Sequence, residues 1–141
     1  QFAKYRNRIF DKNSKFLIFI LNKIKIMNFF QPIKIKLVDH NKIYLYSIFN
    51  GLEEIRNNAS YDIKMHSESL SFIFKNEFGF DTLTVNGCFE TNSLGFSKTA
   101  KSLAIGNLNS LGLGLNFKII FNIKFVVLFL QKLKKVLSKI I

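Results

Sequence analysis

The middle of the chain reads YDIKMHSESL (61–70), SFIFKNEFGF (71–80) and DTLTVNGCFE (81–90). Apolar and polar residues alternate over 61–66, which predicts a strand. Ser67 predicts the start of a helix, because a serine hydroxyl can accept a hydrogen bond from an amide of the first turn. Phe78-Gly79-Phe80 predicts the end of that helix, and a second alternation predicts a strand over 82–89. This region is therefore expected to form a strand, a helix and a strand.

A hairpin is predicted before this region. Apolar residues alternate with lysines from 33 to 37, and residues 43–49 are rich in isoleucine and tyrosine, as is typical of strands. The polar residues 39–42 between them predict a turn, and residues 52–60 predict a loop or a single turn. The predicted fold class is α+β. A small mixed sheet, built from the hairpin 33–49 and the strand-helix-strand 61–90, is expected to carry flanking helices.

The chain divides into three predicted parts. Residues 1–31 form a basic and apolar helical lead-in that Pro32 ends, because proline lacks the backbone donor that a helix needs. Residues 32–116 form an α+β accessory domain, with one short helix around 97–108. Residues 117–141 begin as an apolar strand and end as a basic amphipathic helix, in which apolar residues recur at helical spacing.

Composition and charge limit the possible functions. Apolar residues make up 48% of the 141 residues, which excludes an intrinsically disordered chain. The net charge is +12, and 18 lysines against 3 arginines, with many Phe, Ile and Asn, indicate an AT-rich genome. The charge is +8 over residues 1–50, −4 over 51–96 and +8 over 97–141. A nucleic-acid module needs a continuous basic stripe, so the acidic middle disfavours one.

No catalytic or metal-binding set is visible in the sequence. His40 and His66 lack the paired spacing of zinc ligands, so no metal site is expected in this chain. Cys88, between Gly87 and Phe89 in the predicted second strand, is expected to be a buried structural residue.

Two stretches carry a resemblance to a known family. Residues 61–70 contain a strand that leads into Ser67-x-x-Leu70, and residues 78–89 contain Phe78-Gly79-Phe80-Asp81-Thr82-Leu83. Together they resemble a region downstream of the hydrolase core in bacterial metallo-β-lactamase-fold proteins related to the CMP-N-acetylneuraminate hydroxylase group. The layout is also similar to that of sterol-carrier-protein-like domains. The resemblance covers about residues 61–90 only.

The resemblance implies a non-catalytic accessory segment at the C-terminal end of a larger metalloenzyme. The His-x-His-x-Asp-His signature of that fold is absent from this chain, so the catalytic residues and a zinc or iron ion would belong to an upstream domain of the same polypeptide, a metallo-hydrolase or an oxygenase. The first residue, Gln1, fits this expectation of a fragment. The segment would help to form or cover the substrate cleft, with Phe78, Asp81 and Asn86 nearest the ligand. The expected localisation is cytoplasmic.

The C-terminal helix leaves an alternative open. Its apolar face could pack on the protein core, or it could enter an anionic membrane surface as a peripheral helix. The second interpretation makes the chain a small lipid- or membrane-surface-binding module. Its contact residues would be Phe129, Lys132, Lys134, Lys135 and Lys139.

Overall fold

The α+β class predicted above is confirmed in the computed structural model, which describes residues 1–24, 29–56 and 60–116, together with Val127. Helices and strands alternate irregularly along the chain, as is usual for this class. The elements are α1 (Phe2–Lys12), α2 (Lys15–Lys23), β1 (Ile33–Leu37), β2 (Lys42–Ser47), β3 (Gly51–Ile55), β4 (Ile63–Met65), α3 (Ser67–Lys75), α4 (Gly79–Asn86), β5 (Phe89–Thr91) and α5 (Ser93–Ser110).

The five strands form one mixed sheet in the order β3-β2-β1-β4-β5. The predicted hairpin is confirmed: β1 and β2 pair antiparallel, with Ile33 opposite Tyr46 and Leu37 opposite Lys42. Strand β3 extends the hairpin antiparallel to β2, β4 lies parallel to β1, and β5 returns antiparallel to β4. Helices α3 and α4 occupy the connection between β4 and β5.

The hydrophobic core lies between the sheet and the helices. In β1 the alternation of apolar residues and lysines in the sequence matches the alternation of burial. Its three apolar residues are buried and its two lysines are partly exposed. Inward-facing residues of β1, β2 and β4 join buried residues from all five helices in a single cluster. The sheet therefore has one apolar face, as its period-two pattern requires.

The structure corrects the predicted strand over 82–89. Residues Gly79–Asn86 form the helix α4, which buries Phe80 and Leu83 one turn apart, and the strand begins only at Phe89. Gly79 starts this helix rather than ending α3. Its backbone lies so close to Ile73 that a Cβ would stand 2.6 Å from the Cα of that residue, so a larger residue would not fit there. Gly87 then ends α4 in the left-handed conformation, with φ +63°.

The predicted helical lead-in, residues 1–31, contains the helices α1 and α2, and Tyr5 and Ile9 of α1 are one turn apart and both enter the core. Two other expectations differ from the structure. The predicted loop after Gly51 begins with the edge strand β3, whose backbone pairs with β2. The predicted short helix around 97–108 is the 18-residue helix α5. The strand and helix predicted for 117–141 lie outside the described residues.

Helix α5 has an unusually polar buried face, which includes Gly95, Thr99, Ser102 and Asn109. Thr99 is fully buried, and its hydroxyl has no hydrogen-bond partner within the part of the chain that the structure describes. We expect Thr99→Val to raise the free energy of unfolding by about 1 kcal/mol, because the isosteric change removes an unsatisfied polar group. Chemical denaturation followed by circular dichroism measures this effect.

Thr84→Val is the control for this change. The Thr84 hydroxyl donates a hydrogen bond to the Phe80 carbonyl oxygen at 2.9 Å, so its removal is expected to lower stability slightly. A stability loss in Thr99→Val as large as that in the control would mean that the Thr99 hydroxyl is satisfied.

The start of α3 is held by an aspartate from the β1–β2 turn. Ser67 is the first helical residue rather than the N-cap, which is His66. Both the Ser67 amide and the Ser67 hydroxyl donate hydrogen bonds to the Asp39 carboxylate, the amide at 3.0 Å. These bonds join the hairpin to the helix. They are made across 28 residues of sequence, which local capping rules do not anticipate.

This contact predicts a pH dependence of stability. The hydrogen bond from the Ser67 hydroxyl is the main cause that lowers the pKa of Asp39 below its ordinary value of 3.8. Because the pKa is lower in the folded state, the stabilisation is present above the ordinary pKa and is lost as the pH falls through the folded pKa. We expect Asp39→Asn to lower the melting temperature at neutral pH and to converge with the unsubstituted chain in acid. A constant difference at every pH would contradict this prediction.

Candidate functional site

A surface cleft of about 420 Å³ lies where β4 passes into α3 and α4 returns to β5. Its walls come from the end of β1, from β4, from the first turn of α3 and from the start of β5. The lining residues are Val38, Lys64, Met65, His66, Glu68, Ser69, Gly87, Cys88, Phe89 and Glu90. The volume is within the range of small-molecule pockets.

Local structure explains how these side chains meet. Strand β4 ends at Met65 and α3 begins two residues later, so His66 is placed at the junction of a strand and a helix. On the opposite wall, the left-handed Gly87 turns the chain out of α4, and the Cys88 amide donates to the Leu83 carbonyl oxygen at 3.1 Å. The pairing of Met65 with Phe89 closes the sheet at the base of the cleft.

Cys88 is solvent-exposed, so the expectation of a buried structural cysteine is wrong. The error follows from the misassigned strand, because α4 and its glycine turn carry Cys88 to the surface. The thiol lies 3.8 Å from the Asn86 carbonyl oxygen. It shares the cleft with His66, and no other cysteine is present in the chain.

Exposure of Cys88 has a direct experimental consequence. We expect a maleimide to modify one thiol per chain in the folded protein at neutral pH, without denaturant, because the thiol is reachable from solvent. Mass spectrometry measures the modification, and Cys88→Ser is the control. A thiol that reacts only after unfolding would contradict the structure.

The rim of the cleft carries one lysine, Lys64, and two glutamates, Glu68 and Glu90. Lys64 Nζ lies 2.9 Å from Glu90 Oε2, which bridges β4 and β5. The hydrogen bond that Lys64 donates to Glu90, together with the negative charge of Glu90, raises the pKa of Lys64 above its ordinary value. Glu68 lies in the first turn of α3, where the helix dipole favours an anion. With Val38, Met65 and Phe89 as apolar walls, the cleft suits binding of a partly apolar group.

The residues predicted to contact ligand lie on α4, outside the residues that line the cleft. Phe78 is the half-exposed N-cap of α4, and Asp81 lies one turn along it. The Asp81 carboxylate accepts a hydrogen bond at 2.7 Å from the Asn107 side-chain amide of α5. Asn86 is at the other end of α4, next to Gly87 of the cleft. Their role in ligand binding stays a prediction.

The sequence analysis gave no binding role to Lys64, Ser69 or Glu90, and it considered His66 only as a histidine without the spacing of a zinc ligand. A useful indication was the close succession of strand end and helix start at residues 65–67, a position where many proteins place binding groups. The membrane-contact residues of the alternative interpretation, Phe129 and the four lysines after it, lie outside the described residues.

Across residues 1–24, 29–56 and 60–116, no three His, Cys, Asp or Glu side chains are grouped so that they could hold a metal ion. In the same part of the chain, no helix combines the length and apolarity needed to cross a bilayer. Comparison with protein-family models, curated proteins and solved structures finds no match to this chain.

Proposed function

We propose that this chain is a non-catalytic accessory segment of a larger metallo-β-lactamase-fold metalloenzyme and that it helps to form or cover the substrate cleft of that enzyme. The observation that carries the proposal is the cleft between β4, α3 and β5. The two stretches that resemble the accessory region of this family, 61–70 and 78–89, lie apart in sequence and provide eight of the ten residues that line it.

Exposed apolar side chains on α4 and α5 support a contact with another domain. Val85 on α4 is 86% exposed, and Leu94 in the first turn of α5 is 81% exposed. We call Phe78, Val85 and Leu94 the α4–α5 surface. These elements are held together by Phe80, Phe89 and Phe96, whose rings stack with centroids 5.8–6.2 Å apart. Apolar side chains exposed on packed elements are typical of surfaces that a partner covers.

The proposed partner is a catalytic domain encoded upstream of Gln1 in the same reading frame. It would hold the zinc or iron, and its reaction would be a hydrolysis or an oxygenation. The chain alone is then expected to show no hydrolysis of chromogenic esters or lactams when zinc or iron(II) is added. Metal-dependent hydrolysis by the chain alone would overturn the proposal.

Cys88 provides a direct test of the contact. A fluorophore that responds to polarity is attached to Cys88, and the separately expressed upstream domain is added. We expect a saturable change in emission, because the α4–α5 surface and the cleft become shielded from water. Leu94→Lys is expected to weaken the binding at least about tenfold, as loss of a central apolar contact does.

Leu111→Lys is the matched control, since Leu111 is also an exposed leucine and lies at the opposite end of α5. It is expected to bind as the unsubstituted chain does. Equal weakening by both variants would indicate a non-specific effect of charge, and an unchanged emission would reject the upstream domain as a partner.

A further inference from the structure

Strand β5 forms one edge of the sheet, since it pairs with β4 and no described strand lies beyond it. In an antiparallel pair, only alternate residues of a strand turn their backbone groups toward the neighbour, so the other groups of β5 point to the free edge. The chain on both sides of the strand is exposed, over residues 84–88 before it and 92–94 after it. An unpaired edge of this kind is a template for an additional strand.

The inner side of this edge is apolar. Phe89 lies opposite the buried Met65 in the β4–β5 ladder, and its ring stacks on that of Phe96 with centroids 6.2 Å apart. Phe96 is 37% exposed, and Leu94 in the same first turn of α5 is 81% exposed. Large apolar side chains beside the edge strand are thus left in contact with water, as is typical of a surface that a partner covers.

The outer side of the edge is acidic. Glu90 lies opposite Lys64, so its side chain is on the outer face of the sheet. This side chain is 74% exposed, although it forms an ion pair with Lys64 at 2.9 Å. A carboxylate has two oxygens and can accept hydrogen bonds from a second cation as well. Glu68, which lines the same cleft as Glu90, is a second exposed acid on this side.

We infer that β5 is a docking site for an added strand in which apolar and basic residues alternate. The backbone of that strand pairs with the free edge, its basic residues lie beside Glu90, and its apolar residues cover Phe89 and Phe96. In strand addition generally, main-chain hydrogen bonds give affinity and alternate side chains give specificity. The inference goes beyond the proposed function, because it concerns a sheet edge and does not depend on a metalloenzyme as partner.

A second copy of the chain is the competing occupant, and the charge at the edge disfavours it. Two copies of β5 that pair about a two-fold axis use all three residues of each strand only when the two Glu90 side chains lie directly opposite each other. Like charges in directly opposite positions destabilise a strand pair. A lysine or an arginine at that position of a different strand is attracted instead.

The test adds a short peptide of alternating valine and lysine to the full-length chain and measures amide hydrogen exchange by NMR. We expect the β5 amides that point away from β4 to exchange at least about tenfold more slowly at saturating peptide. The opposite edge, β3, is the internal comparison. It carries a similar ion pair, Lys42 with Glu54 at 2.9 Å, but none of the described exposed large apolar side chains lies on it. Its exchange is expected to stay unchanged.

A charge exchange at the edge tests the preference for a basic strand. Lys64→Glu with Glu90→Lys keeps the net charge and the cross-strand pair but makes the edge residue basic. We expect this variant to bind the valine–lysine peptide at least about tenfold more weakly and to bind a valine–glutamate peptide instead. Lys42→Glu with Glu54→Lys is the matched control, because it makes the same exchange at the other edge. It should bind the valine–lysine peptide as the unsubstituted chain does, and circular dichroism checks that both variants fold.

The other outcomes would each overturn the inference. Protection of β5 that develops without peptide and increases with protein concentration would make the edge a contact between copies. Equal binding of the lysine and glutamate peptides would remove the preference for a basic strand. Protection of β3 alone, or of neither edge, would leave β5 without an added strand. None of these results involves the upstream domain, so they are distinguishable from the emission change that tests the proposed function.

Discussion

Replacing Gly95 by alanine is expected to destabilise the protein by about 3 kcal/mol, at the upper end of what overpacked sites cost. The backbone of the first turn of α5 lies in close contact with the backbone at the start of β4. A Cβ at Gly95 would stand 2.0 Å from the Asp62 carbonyl oxygen and 2.6 Å from the Thr91 hydroxyl. The nearer atom belongs to the backbone, so it cannot rotate away. Either the helix or the strand would have to move.

Such a movement would break several contacts at once. The Gly95 amide is bonded to the N-cap Asn92 at 2.8 Å, and the Thr91 hydroxyl donates to the Asp62 carbonyl oxygen at 2.6 Å. The Asp62 carboxylate also accepts hydrogen bonds from the Lys34 amide at 2.7 Å and from Lys98 at 2.8 Å. This junction joins β1, β4, β5 and α5, so the loss should appear as a cooperative decrease in stability.

Thermal unfolding followed by circular dichroism measures the effect, with an expected decrease in Tm on the order of 10 °C. Gly112→Ala is the matched control. A Cβ there would meet nothing within 4 Å, and only the left-handed conformation at φ +74° would cost about 1 kcal/mol. If the two variants were equally stable, the close approach at Gly95 would not be present in solution.

Sequence patterns anticipated the parts of the fold whose burial follows a simple period. The alternation in β1 follows its burial, because its apolar side faces the core. In β2 residues on both sides of the strand are buried, Ile43 and Tyr46 among them, so composition rather than alternation indicated this strand. Alternation failed at Leu83 and Val85, where it suggested a strand. In the structure Leu83 pairs with Phe80 on the buried side of α4, and Val85 faces water. Phe80 and Leu83 are three residues apart and fit a helical period, whereas Leu83 and Val85 are two apart and fit a strand, so this short stretch carries both patterns.

The full length of helix α5 was not predicted from the sequence, for a different reason. Its buried residues include Gly95, Thr99 and Ser102 beside Leu103 and Ile105, while Leu94 is exposed, so no continuous apolar stripe marks the buried face. Small residues are needed there because the backbone of α5 approaches the sheet closely. Patterns that search for apolar faces cannot detect such a contact.

Part of the cleft could be predicted from the sequence. The resemblance over residues 61–90 singled out both of the stretches that form most of its wall. Their meeting depends on the turn at Gly87 and on the pairing of β4 with β5, which are tertiary features. For the same reason, Val38 joins the cleft only because β1 lies parallel to β4. The sequence indicated the stretches that contain these residues, but it did not predict that they lie close together in the folded chain.

Phe74→Ala is expected to have the largest effect, a loss of about 3–5 kcal/mol, as is typical when a buried phenylalanine is truncated. Phe74 lies on α3 and is 4% exposed. Its ring centroid is 5.4 Å from that of Phe2, 5.2 Å from Tyr5 and 5.9 Å from Tyr46. Chemical denaturation measures the loss. Phe72→Ala is the control, because Phe72 is on the same helix and 38% exposed, and it should cost less than about 1 kcal/mol.

The same variant also distinguishes two views of the first helix. If residues 1–31 were only a lead-in, as their basic composition suggests, a cavity at position 74 would leave the amides of α1 as protected from hydrogen exchange as before. In the structure, two of the three rings around Phe74 belong to α1. Arg8 of α1 also donates hydrogen bonds to the Lys75 and Phe74 carbonyl oxygens at 3.1 and 3.3 Å. Because α1 loses part of its apolar contact with α3, we expect its amides to exchange faster in Phe74→Ala than in Phe72→Ala. Equal exchange in the two variants would place α1 outside the cooperative fold.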